Sequence, residues 1–273
     1  VKSFWRKALA DSQQAFGEDA AVTLSYTDDL AIFLESSGKM AEAEELFRRA
    51  FASRGRVFGE SHEETLRSCS NLAVFLDNED RGSEALRFYR QVLSARSQSL
   101  GDNDVKTLES SYNLAVCLAD QDETDEAVSI FLPLFQSLEQ QLGPDDEWVL
   151  SCADKLGELL KDAGQLEAAE AMFRRVYGSR ANASAANEGD GEGDPQEMHR
   201  KLADAAYNLA ICLAQQGRSS EAEPLFFGAV QGYMITYSPD DAYTLDAVFN
   251  LAACLEAGGF LQDAARFYEA TIR

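Results

Sequence analysis

Side chains suited to acid–base, nucleophilic or metal chemistry are few in this sequence, and their spacing suits none of the three. Two histidines, His62 and His199, serve 273 residues. Neither has a cysteine or serine at the spacing of a nucleophile and its base. The cysteines (Cys69, Cys117, Cys152, Cys212 and Cys254) contain no C-x-x-C pair, so they read as neither a zinc site nor a redox couple. Cys117, Cys212 and Cys254 each precede a leucine, where a free thiol packs as a small hydrophobe. The stretch Gly189-Asp190-Gly191-Glu192-Gly193 is acidic and would repel a phosphate. We therefore expect no enzyme, no catalytic residue, no metal, no cofactor and no small-molecule substrate. Hydrogen-bonding chemistry remains. Asn71, Asn113, Asn208 and Asn250 each stand before a Leu-Ala step. An amide offers two donors and an acceptor, which suits capture of a polypeptide backbone. The other use for such amides is a bond within their own helix pair.

Charge narrows the partner. Lys and Arg number 24 against 47 Asp and Glu, a formal net charge of -23. Nucleic acids and anionic membranes need clustered positive charge to displace counterions, so both are expected to be excluded. No apolar run is long enough to span a bilayer. An odd number of cysteines without framework spacing fits a reducing compartment, and so a cytoplasmic protein or one of a cytoskeletal, ciliary or organelle-associated complex. The sequon Asn182-Ala183-Ser184 would go unused there.

The asparagines also reveal what must position them. Asn71 and Asn113 lie 42 residues apart, and so do Asn208 and Asn250. Asn113 and Asn208 are separated by 95 residues, two periods and 11 more. Asp29-Leu30-Ala31 and Lys155-Leu156-Gly157 fill the same frame, giving six copies. In each copy a first segment keeps one helical face apolar and small, as in Leu66, Leu72, Ala73 and Leu76. A second segment places a small residue four before an aromatic, as in Ala43/Phe47, Ala85/Tyr89, Ala127/Phe131, Ala169/Phe173 and Ala222/Phe226. Gly38, Gly164, Gly217 and Gly259 break the two segments; Asp80 and Asp122 stand in their place in copies two and three, so those turns are expected to depart from the pattern. Helix pairs of this kind bury their apolar faces only by stacking on neighbours.

The order Leu-Ala…Leu…Gly…Ala…Phe…Ala resembles the tetratricopeptide repeat, and the 42-residue frame is similar to that of kinesin light chains. The linkers Phe58-Gly59-Glu60-Ser61-His62, Leu100-Gly101-Asp102 and Leu142-Gly143-Pro144 strengthen the likeness. It implies an all-α, right-handed superhelical solenoid of antiparallel helix pairs. We expect one solenoid over 1–273: a partial repeat at 1–17 and repeats starting near 18, 60, 102, 144, 197 and 239. Phe4 to Leu9 aligns with the second helix of a preceding repeat, and neither end carries a polar capping helix, so a longer parent protein is expected. The 11 extra residues give an acidic insertion at about 179–197, whose core, Ala181 to Pro195, has no large apolar residue and reads as a flexible loop. Ser61-His62-Glu63-Glu64 reads as a capping box, and Pro133 is expected to kink its helix.

The resemblance further implies that the asparagines form a ladder in a concave groove, holding the backbone of an extended peptide. Asp29 and Lys155 interrupt that ladder. Groove-facing positions hold Asp28, Asp77, Asp120, Asp154, Glu158, Asp204 and Asp246, among others, against only Arg67, Lys155 and Lys161. A basic segment suits such a groove better than the acidic cargo peptides that kinesin light chains favour. Tyr112, Tyr207 and Phe249 are the candidate anchors. The leading expectation is a non-catalytic scaffold for a protein partner. The alternatives are a structural arm stacked in a large complex, or a regulatory array attached to a further domain.

Overall fold

A computed structural model describes residues 2–187 and 194–272, and every element found among them is helical. The contacts divide the chain into two compact units, 1–134 and 135–273. The first unit holds α1 (Lys2–Phe16), α2 (Ala21–Ser36), α3 (Met40–Phe58), α4 (Glu63–Asn78), α5 (Gly82–Leu100) and α6 (Val105–Asp120). The boundary falls within α7 (Thr124–Leu142). The second unit continues with α8 (Glu147–Asp162), α9 (Leu166–Asn187), α10 (Pro195–Gln215), α11 (Ser219–Thr236), α12 (Ala242–Ala257) and α13 (Leu261–Ile272). Helices α2, α4, α6 and α8 start 42 residues apart, as do α3, α5, α7 and α9. Among the described residues no helix is long and apolar enough to cross a membrane.

The small-residue frame explains the packing. Ala31, Ala73 and Ala115 on first helices of the first unit are fully buried, as are Ala43, Ala85 and Ala127 on the second. Phe47, Tyr89 and Phe131, four residues after the second-helix alanines, are buried as well. Phe47 packs on Phe75 of the next first helix, ring centres 5.3 Å apart. In the second unit Gly157 holds this frame position, and a Cβ there would lie 2.7 Å from the Phe173 ring, too close for alanine without a shift.

The turns correct two expectations. Asp80 and Asp122 take φ of 58° and 61°, the same left-handed geometry as Gly38, Gly164 and Gly217. The turns therefore do not depart from the pattern, because aspartate tolerates this region by bonding locally. The cap of α4 is His62 and not Ser61: His62 Nδ1 accepts the Glu64 amide at 3.2 Å. The position 42 residues on is Asp104, whose carboxylate accepts the Lys106 amide at 2.9 Å; Asp146 and Asp241 cap α8 and α12 in the same way. Ala20 holds this geometry at the start of α2 (φ −66°, ψ 141°) and makes no cap bond. Ala20→Ser should therefore add about 1 kcal/mol of stability. A thermal midpoint that does not rise would refute this.

The described part of the insertion is helix apart from Asp194, contrary to the loop expected there. α9 has 22 residues where α3, α5 and α7 have 19, and α10 has 21 where α8 has 16. Residues 181–187 continue α9 because Ala181, Ala183, Ala185 and Ala186 favour helix without needing a core. Asp194 caps α10 through the Gln196 amide, and Pro195 opens it, where no amide is needed. The remainder of that expectation, 188–193, lies outside the described residues. Helix α7 runs without interruption through Pro133.

Candidate protein-binding face

In the first unit the predicted amides stand half-buried on the first helices, Asn71 on α4 and Asn113 on α6. Neither side chain makes a hydrogen bond among the described residues. Tyr112, beside Asn113, is half-buried and meets Phe131 edge-on at 5.7 Å. Asp120 ends α6 and is exposed. Asp77 accepts the Cys117 thiol at 3.2 Å and faces the Tyr89 hydroxyl at 3.4 Å. Burial, and then that carboxylate, push the Cys117 thiol up to about 12, and burial does the same for Cys69 and Cys152. These thiols are packing groups. Asp28 corrects the groove reading: it is buried, not groove-facing, and pairs with Arg54 at 2.7 Å.

In the second unit the same frame positions converge on a pocket of about 380 Å³ between α8, α10, α11 and α12. Asn208 donates to Asp154 at 3.2 Å. Asn250 donates to the Tyr207 hydroxyl and to the Asp246 carbonyl, both at 2.9 Å, and Tyr207 in turn donates to the Asp246 carboxylate. Asp204 accepts from Tyr233 and from Arg200, both at 2.9 Å. Burial pushes the Asp154 and Asp204 carboxyls above the usual carboxylate range, Asp154 against its Asn208 bond and Asp204 against its Tyr233 and Arg200 contacts. Phe249 stays outside this pocket, 53% exposed, with its ring 5.5 Å from Tyr268. The predicted residues thus split: Tyr207, Asn208, Asp204 and Asp246 line one pocket, while Asn71, Tyr112, Asn113 and Asp120 belong to the first unit.

Residues 19–98, 70–132 and 107–181 match one tetratricopeptide repeat model, and 203–226 match another. The chain belongs to the tetratricopeptide repeat family. A solved kinesin light chain-type protein from Podosopora anserina, with nearly identical TPR-like repeats, is 21% identical; the match covers 77% of this chain and 94% of that one, at a TM-score of 0.64. BtubC (BKLC) from P. vanneervenii is 19% identical over 88% of this chain and 93% of its own, at 0.71. YrrB, described as a TPR protein with an unusual peptide-binding site, is 16% identical over 90% and 98%, at 0.55. At these identities the likeness concerns the fold. No curated protein matches the sequence.

In this tetratricopeptide repeat chain, cations that sequence reasoning passed over build the contacts between neighbouring repeats. Arg48 bridges Glu44 and Glu84, and Arg81 bridges the same two carboxylates, at distances of 2.5–2.9 Å. The second unit repeats the ring with Arg174, Arg218, Glu170 and Glu221. The hydrogen bonds hold Glu44, Glu84, Glu170 and Glu221 below the usual carboxylate range; for Glu170 they outweigh an opposing burial cost. Arg6–Glu42 and Arg90–Glu126 follow the same 36-residue step as Arg48–Glu84. Arg96, nearly buried, donates to Ser110 at 2.9 Å and pairs with Glu63, as Arg54 does with Ser68 and Asp28. Arginines at 54, 96 and 180, spaced by one and two periods, were the signal for these inward cations.

Proposed function

We propose that the chain is a non-catalytic protein-interaction scaffold whose first-helix faces bind an extended, basic partner segment. Tetratricopeptide repeats serve protein binding, and the observation that carries the finer reading is how the charges are distributed. Many arginines are taken up by ion pairs that tie one repeat to the next, including the two four-membered rings. The first-helix carboxylates Asp154, Glu158 and Asp246 each keep an oxygen that accepts no hydrogen bond among the described residues. A basic segment complements that surplus in the second unit, and in the first the amides of Asn71 and Asn113 can hold a main chain.

The reading is tested by titrating labelled extended peptides of equal length, basic, neutral and acidic, into the whole chain at two salt concentrations. The basic peptide should bind best and weaken with salt. Asn71→Ala with Asn113→Ala should reduce its affinity roughly tenfold, the equivalent of about 1.4 kcal/mol for lost hydrogen bonds. Equal binding of all three peptides overturns the charge reading. Unchanged affinity in the double variant overturns the ladder and points to a structural arm.

A further inference from the structure

We propose that the pocket between α8, α10, α11 and α12 seats one arginine side chain of the partner segment. This inference rests on the scaffold reading and deepens it. The walls combine two chemistries that a guanidinium uses together. One is aromatic. Tyr237 and Tyr243 stack at 5.5 Å and 22°, and Tyr233 lies 6.1 and 6.2 Å from them. Tyr243 is 61% exposed, so its ring is open to an incoming planar group. The other is anionic: Asp154 and Glu158 come from α8 and Asp246 from α12.

The pocket already shows the chemistry it favours. Arg200, on its wall, donates to Asp204 and to both oxygens of Glu197. That leaves Asp204 satisfied, while Asp154, Glu158 and Asp246 each accept one bond, from Asn208, Lys155 and Tyr207 respectively, and keep a second oxygen that accepts none among the described residues. A metal ion does not fit this arrangement, since no group of three or more potential ligands lies close enough to hold one among the described residues. A lysine ammonium is a compact point charge, whereas a guanidinium spreads five donors over a plane and stacks on tyrosine. The volume of about 380 Å³ falls at the small end of ligand pockets, which run from roughly 300 Å³ upward.

The test uses N-acetyl-arginine methylamide as probe, with the whole chain carrying labelled tyrosine rings and NMR as the readout. The probe should shift Tyr237 and Tyr243 saturably and leave Tyr26 and Tyr112 in place. The citrulline analogue, which keeps the shape and loses the charge, should bind at least about tenfold more weakly, and the lysine analogue should fall between them. Tyr243→Ala and Asp246→Asn should each weaken arginine binding several-fold with the thermal midpoint unchanged, while Asp120→Asn should have no effect. Equal binding of citrulline, or shifts spread over all the tyrosines, overturns the proposal. The outcomes also separate the two readings. A basic peptide that still needs Asn71 and Asn113 while the arginine probe is silent removes the pocket and keeps the scaffold. Arginine bound in the pocket with no peptide preference keeps the pocket and removes the basic-segment reading.

Discussion

Asp28→Ala should cost about 3–5 kcal/mol, because it leaves a buried guanidinium without its counter-charge. The Asp28 and Arg54 side chains are 5% and 1% exposed, and they meet at 2.7 Å. Arg54 also donates to Ser68, so the pair ties α3 to both α2 and α4. The nearest other carboxylate, Glu64, stands 3.7 Å away and is 42% exposed, too wet to replace Asp28. Arg54→Met creates the opposite problem, and it carries a pH signature. Burial already pushes the Asp28 carboxyl above its ordinary 3.8 against the pull of Arg54, and without the arginine it rises further. The folded state then binds a proton that the unfolded chain releases. The deficit of Arg54→Met therefore grows as pH rises above the ordinary carboxylate value and shrinks as it falls. Urea unfolding at pH 5 and pH 8 measures both effects. Arg90→Ala, which frees only the exposed Glu126, should stay within about 1 kcal/mol. An Asp28→Ala loss no larger than that would mean the buried pair is not a structural tie. Asp28→Leu with Arg54→Met should recover most of the loss, since an apolar pair of similar volume replaces a costly ionic one.

Apolar positions were legible in the sequence because they obey a local rule. A helix that stacks on two neighbours needs small residues where backbones approach, so Ala31, Ala73 and Ala115 recur with the period itself. Polar partners obey no local rule. Arg48 meets Glu84 across 36 residues, and Arg174 meets Glu221 across 47, because the inserted residues lie between them. Asp28 illustrates the resulting error: its frame position suggested a charged face, and only the approach of Arg54 from the next helix shows it buried.

The candidate site was legible in its residue types and not in its connections. Asn208, Tyr207, Asp204 and Asp246 were singled out, but Tyr233, Tyr237 and Tyr243 were not, since two of them come from the second helix and the turn after it. The insertion misled for a related reason. Lack of large apolar residues in 181–187 argued for a loop, yet alanine propensity needs no core to extend an existing helix.

Gly232→Val should destabilise the second unit by about 1–3 kcal/mol and weaken the arginine pocket with it. A Cβ on Gly232 would sit 2.7 Å from the Ala203 Cβ and 3.2 Å from the His199 carbonyl oxygen. Neither atom is the end of a flexible side chain, so α11 has to move away from α10. The next residue is Tyr233, whose hydroxyl donates to Asp204 across that contact, and a wider spacing breaks the bond. The alanine variant separates the effects. Gly232→Ala regains up to about 1 kcal/mol of helix propensity, which offsets part of the clash, so its cost should be smaller than that of valine. Gly228→Ala supplies the control on the same helix, where an added Cβ meets nothing within 4 Å; it should stabilise by about 0.5–1 kcal/mol. Thermal melts of the three variants test the order Gly228→Ala above Gly232→Ala above Gly232→Val. If Gly232→Val melts with the unmodified chain, α10 and α11 separate freely, and the width of the tyrosine pocket is not set by their contact at this glycine. If it melts low and also loses the arginine probe, the close approach of two helices is what holds the aromatic wall over its carboxylates.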